Sequence, residues 1–262
     1  MNWEDLTSKE FKKAVLDTKT CIIACGVVEK HSDHLPLGTD FLNGKRMAER
    51  AAEIEPAVVF PPFYFGQIYE GRCFPGTITI NPRLLIELFQ EILDECGRNG
   101  FEKIILLNAH GGNEFFLRFL AQTQLYKEKP YQVYVYFGWT DELFKLRESV
   151  CETKLHGHAC ECETSISLYN HEHLVKMDEI PEEPGNPLNR FNINHAYTAL
   201  NWYAAYPEHY CGDARKATKE KGEILFEARA KTFSKFIKEV KEDKALPAIS
   251  NEFHKRSNKL MD

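Results

Sequence analysis

Residues 21–28 read CIIACGVV and residues 103–108 read KIILLN. Neither run alternates apolar with polar positions, and each is short, so each predicts a strand buried on both faces. Helical patterns surround them. A Thr7-x-x-Glu10 capping box opens a first helix, and a second is predicted from about Phe41 to Glu53. Asn81-Pro82 is an N-cap and first-turn pair ahead of Leu84, Leu85, Leu88, Ile92 and Leu93, which share one helical face. AVVFPPFYFG (57–66) and YQVYVYF (131–137) add apolar runs, and residues 114–126 add another helix. The alternation of strand and helix predicts an α/β fold: one domain spanning residues 1–262, with a mostly parallel sheet and helices on both faces. An aperiodic, aromatic-rich stretch occupies about 181–210, and a long amphipathic helix from about 213 to 242 leads into a polar tail.

Apolar residues make up 43% of the 262 positions, enough for a substantial core. The net charge of −6, with acids interspersed among the bases, leaves no basic stripe for nucleic acid. No apolar run reaches the ~18 residues of a membrane span, and no secretory pattern opens the chain, so a cytoplasmic protein is expected. Eight scattered cysteines read as reduced core residues, and the Cys160-x-Cys162 pair lacks the partner pair a zinc finger needs.

The loop after the first strand carries the chemistry: GVVEKHSDHLPLGTD (26–40) places Glu29 and His31 two apart, on one side of an extended chain. Asp40 lies where this loop feeds the next helix, and His110 comes just after the end of KIILLN. Open α/β sheets bind ligands at the carboxyl ends of their strands, so these four groups fall on one rim. Carboxylates with imidazoles suit zinc, manganese or iron(II), and a bridging carboxylate suits two ions side by side. Each residue also has a plainer reading. Asp40 fits an N-cap, His110-Gly-Gly fits a tight turn, and His34 beside Leu35-Pro36 fits a packed or hydrogen-bonding histidine. In HGHACECETS (156–165), His158 and Glu161 can face the same rim, whereas Glu163 and the hydroxyls also suit a helix cap.

EKHSDHLPLGTD resembles the EQHGxHLPxxTD signature of the creatininase (creatinine amidohydrolase) family. NAHGGN resembles that family's NGHGGN, FPGT matches a family loop, HACECETS is similar to HAGExETS, and GDARKATKEKG is similar to GxxxxATxEKG. The matches keep the family's order from residue 21 to about 226. The resemblance implies a hexameric α/β hydrolase with two divalent transition metal ions (Zn, Mn or Fe) and a small-molecule substrate. Carried over by motif, Glu29 and His110 hold one ion, His31 holds the other, and Asp40 bridges both. Creatininases complete the second ion with a glutamate two residues after the HGGN-type histidine; here Gly112 stands there, which argues against creatinine and makes Glu161 the candidate ligand. The expected reaction is attack of a metal-bridging hydroxide on a cyclic amide or related carbonyl, with His158 or Glu163 delivering a proton to the leaving group. Alternatives are ring opening of a keto-inositol, with Tyr69, Glu70 and Arg72 as hydroxyl binders, N-formyl hydrolysis, and a metal- or sugar-binding protein without turnover.

Overall fold

The computed structural model describes residues 1–261. Four strands, β1 (Thr20–Cys25), β2 (Val58–Val59), β3 (Lys103–Asn108) and β4 (Gln132–Tyr136), form a wholly parallel sheet in the order β2-β1-β3-β4. β1 and β3 run in register from Thr20↔Lys103 to Cys25↔Asn108. Their side chains divide by parity. Ile22, Ala24, Ile105 and Leu107 enter one apolar cluster, while Cys21, Ile23, Cys25, Ile104 and Leu106 enter another on the opposite face. This explains the unbroken apolar runs: no strand face was available for polar residues.

The first cluster is covered by α2 (Thr39–Ile54), α6 (Glu161–His171) and α8 (Lys219–Glu242), with Ala48, Ile166 and Phe233 buried in it. The second is covered by α1 (Ser8–Thr18), α3 (Pro82–Arg98) and α4 (Glu114–Thr123), through Val15, Phe89 and Leu117. The chain passes from β1 outward to β2, then crosses to the other side of β1 to make β3. The order therefore reverses between β1 and β3, and the crevice beyond their carboxyl ends is the switch point where such sheets bind ligands.

Several boundaries differ from the sequence expectation. β2 has only two residues because Pro61 and Pro62 have no N–H to extend the ladder. α8 starts at Lys219, because Thr218 caps it by accepting a hydrogen bond from the Lys221 amide at 3.3 Å, and residues 213–218 remain a loop. The polar tail folds as α9 (Ala245–Ser257), whose first turn is capped by the Asp243 carboxylate on the Ala245 amide at 2.8 Å. α5 (Asp141–Val150), a two-stranded β5 (His156–His158) and β6 (Cys211–Gly212) pair, and α7 (Asn201–Ala205) complete the strands and α-helices among the described residues. All eight cysteines are free thiols, and only Cys73 is exposed.

Candidate metal centre

The loop leaving β1 carries Glu29 and His31 inward; both are fully buried. Gly26 permits this, since a Cβ there would lie 2.5 Å from the backbone of Phe41, and that contact seats the first turn of α2 against the end of β1. Asp40 sits in that turn. Gly38, not Asp40, occupies the N-cap position, so the aspartate is free for other work. His110 leaves β3 on a short turn pinned by Asn113, whose side chain donates to the Cys25 carbonyl at 3.0 Å and accepts from the Gln67 amide at 2.7 Å.

These elements converge. His110 Nδ1 lies 2.8 Å from Glu29 Oε1 and 2.9 Å from Asp40 Oδ2, and one ring N–H cannot serve both oxygens. On the other side of Asp40, Oδ1 lies 3.3 Å from His31 Nε2, and Glu163 Oε1 lies 3.7 Å from the same nitrogen. Donor atoms 2.0–2.2 Å from a shared ion stand about 3 Å apart. Among the described residues, Glu29–Asp40–His110, His31–Asp40–Glu163 and Glu29–His31–His158 each gather ligand atoms within 4.8 Å of one another.

Supporting contacts favour a cation. His31 Nδ1 donates to the Glu29 carbonyl at 3.2 Å, turning Nε2 toward the carboxylates, as a metal-ligating histidine is normally oriented. Ala159 N donates to Glu163 Oε2 at 2.6 Å and leaves Oε1 for the cluster. Glu29 Oε1 and Asp40 Oδ2 have only the single His110 Nδ1 proton between them, and His110 Nε2 is buried without a hydrogen-bond partner among the described residues. Burial alone disfavours charge on His31, but Asp40, then Glu163 and Glu29, push its pKa up to about 10. His110 is likewise raised against its burial by Glu29 and Asp40. Three carboxylates in one buried pocket thus pull positive charge onto the rings, a demand that divalent ions meet directly.

His158 donates through Nε2 to the Lys30 carbonyl at 2.7 Å and stands with its ring 4.2 Å from that of His31. Burial, reinforced by His31, lowers its pKa to about 3. His34 bonds Thr164 Oγ1 at 2.9 Å and braces α6 against the loop. Lys30 points away, 3.3 Å from Asp33 and over the Phe74 ring.

Glu161, the ligand expected from sequence, is elsewhere. Its buried carboxylate accepts from Glu152 N (3.1 Å), Thr153 N (2.8 Å), Thr153 Oγ1 (2.7 Å) and Lys221 Nζ (2.6 Å). Residues two apart on a helix point about 200° apart, so only one of Glu161 and Glu163 can face the rim, and it is Glu163. At position 112 a Cβ would fall 2.5 Å from His110 Nε2, so a side chain there requires the His110 ring to move.

His209 is a functional candidate that the sequence did not flag. It comes from the end of the irregular 181–210 stretch, is buried, and donates from Nε2 to Glu29 Oε2 at 2.6 Å. The Trp202 indole N–H meets its Nδ1 at 3.2 Å, which fixes the tautomer that gives Glu29 a proton donor. Ser32, Ala159 and His209, three of the five non-glycine residues with positive φ, flank the cluster. The site opens into a cavity of about 1300 Å³ whose wall includes Glu29, Asp40, His110, Trp202 and His209.

A buried carboxylate–imidazole cluster at the switch point of a parallel α/β sheet, facing a large cavity, defines the class of metal-dependent α/β enzymes. The creatinine amidohydrolase family model matches residues 4–237, and the chain belongs to this family of metal-dependent hydrolases. It is 27% identical over 265 residues to a 3-dehydro-scyllo-inosose hydrolase of Thermotoga maritima, covering 92% of this chain and 83% of the relative. It is 25% identical over 255 residues to the creatinine amidohydrolase of Pseudomonas putida, covering 90% and 95%. A solved creatininase superposes with a TM-score of 0.78 at 22% identity over 93% of this chain and 98% of that one. A creatininase variant of Zn–Zn type gives 0.77 at 23% identity over 92% and 98%.

Proposed function

We propose that this hydrolase holds two divalent transition metal ions, one on Glu29, Asp40 and His110 and the other on His31, Asp40 and Glu163, and acts on a small amide or related carbonyl substrate. The observation that carries the reading is the division of Asp40: Oδ2 faces His110 at 2.9 Å and Oδ1 faces His31 at 3.3 Å, the disposition of a bridging carboxylate. The nitrogen and oxygen donors suit zinc, manganese or iron(II). Solved relatives include zinc and manganese forms. Such ions, when bound, polarise a carbonyl oxygen and bring the pKa of water from 15.7 to about 7.

The chain's own residues do the rest. His209, held by Trp202, keeps Glu29 oriented; burial opposes charge on Glu29, but His110, His158 and the His209 hydrogen bond outweigh it and hold the carboxyl well below the ordinary range. His158 has its Nε2 proton committed to the Lys30 carbonyl and, with its pKa lowered to about 3, stands as a neutral ring beside the cluster that can turn a hydrogen bond, but not a positive charge, toward the substrate. Both Glu163 oxygens are engaged, one at Ala159 N and one facing His31, so this reading gives Glu163 a ligand's role rather than the proton delivery expected from the sequence. Trp202 forms part of the cavity wall beside His209. Hexameric assembly and a cytoplasmic setting belong to the same reading, and light scattering on the purified protein tests the former.

A second reading has its own support. The similarity to the inosose hydrolase spans 92% of the chain, and Tyr69, Glu70 and Arg72 line the same cavity, so ring opening of a keto-inositol uses the same cluster. Metal-replete protein assayed against cyclic amides, N-formyl compounds and keto-inositols separates these readings. Turnover of one class, abolished in Asp40→Ala, is expected. Turnover retained by Asp40→Ala contradicts both.

A further inference from the structure

The cavity has a second polar region that the metal cluster does not use. Arg147 on α5 and Arg229 on α8 place their guanidinium carbons 5.2 Å and 4.7 Å from the centroid of one indole ring, that of Trp139. Both are half-buried, both line the cavity, and neither makes an ion pair or a hydrogen bond through its side chain among the described residues. The Nε atoms of both are fully shielded and unpartnered, as are His156 Nδ1 and Tyr136 Oη beside them. The other arginines without polar partners among the described residues, Arg72 and Arg83, are exposed. Two cations withdrawn from water with no counter-charge are costly unless something else supplies it. Glu163, whose charge acts on Arg229, has its oxygens at Ala159 N and facing His31.

We propose that Arg147, Arg229 and His156 form an oxyanion subsite that grips a carboxylate or phosphate group on the substrate while the reacting carbonyl lies at the Glu29–Asp40–His110 cluster. Planar guanidinium forks match both anions, and stacking on Trp139 holds the forks in place before the ligand arrives. The subsite assigns a substrate class, an acidic small molecule; its use in catalysis rests on the hydrolase reading above, but its existence does not.

Tryptophan fluorescence and calorimetry of the metal-replete protein, titrated separately with inorganic phosphate and with acetate, test this. Saturable binding of either is expected, with Trp139 reporting it, and the preferred anion identifies the substrate's acidic group. Arg147→Gln and Arg229→Gln should each weaken binding ten-fold or more at unchanged metal content. Arg229→Lys, which keeps the charge and disturbs folding least, should show a smaller loss. Absence of saturable binding by both anions overturns the proposal, as does binding that survives the Arg147 and Arg229 substitutions undiminished, which places the anion at the metals. Failure of the hydrolase reading would instead appear as missing metal or turnover with the anion site intact.

Discussion

Glu161→Gln separates the structural account from the one the sequence motif suggests. Oε1 of Glu161 accepts from Glu152 N and Lys221 Nζ, and Oε2 accepts from Thr153 N and Oγ1. An NH2 replacing Oε1 strands two donors, Glu152 N and Lys221 Nζ; one replacing Oε2 strands Thr153 N, while the Thr153 hydroxyl can turn to accept. Each buried group so stranded costs about 1–3 kcal/mol, and the Lys221 pair loses its charge partner. Because Lys221 can turn toward Glu152, 2.8 Å away, the net loss should be about 3 kcal/mol. For a chain of this size that lowers Tm by about 6–12 °C. The assay is thermal unfolding followed by circular dichroism at pH 7, with metal content measured on the same preparation. Lower Tm with unchanged metal is expected. Lost metal with unchanged Tm would refute the reasoning and restore Glu161 as a ligand.

His209→Ala should weaken metal binding by about 10–100-fold in competition with a chelator, since it frees Glu29, and Trp202→Phe should do so to a smaller degree. Gly26→Ala should cost about 2 kcal/mol in urea unfolding, because its Cβ displaces Phe41 and with it the turn that presents Asp40. Burial favours the neutral form of Asp94, but hydrogen bonds from Lys129, Tyr131 and Gln90 outweigh it and hold the pKa below the ordinary value. The resulting stability is present above the unfolded pKa of about 3.9 and is lost as pH falls through the folded one. Asp94→Asn should therefore cost about 1 kcal/mol at pH 7, and the gap should close toward pH 2 in urea titrations.

Burial on both faces made β1 and β3 legible, because every side chain there had to be apolar whichever way it pointed. The Glu29, His31, Asp40 and His110 cluster was legible because loops at one sheet edge converge whatever their detailed path. Glu163 was not. α6 buries Glu161, Cys162, Thr164, Ser165, Ile166, Ser167 and Leu168 nearly all round, so periodicity could not say which glutamate faced the rim. His209 meets Glu29 across 180 residues, from a stretch without regular pattern, and no local signal marks such a contact. α9 was read as tail because its apolar residues are sparse and Leu246 and Ile249 stay partly or largely exposed; its cap at Asp243 is what defines it.

Metal stoichiometry per chain, measured by inductively coupled plasma mass spectrometry on protein purified without chelator, bears most directly on the shared role of Asp40. Two transition-metal equivalents are predicted for the native chain, one for Glu163→Gln and essentially none for Asp40→Ala, since the proposed centre shares the Asp40 carboxylate between both ions. Two equivalents retained by Asp40→Ala, or a single equivalent in the native chain unaffected by Glu163→Gln, would contradict the binuclear centre.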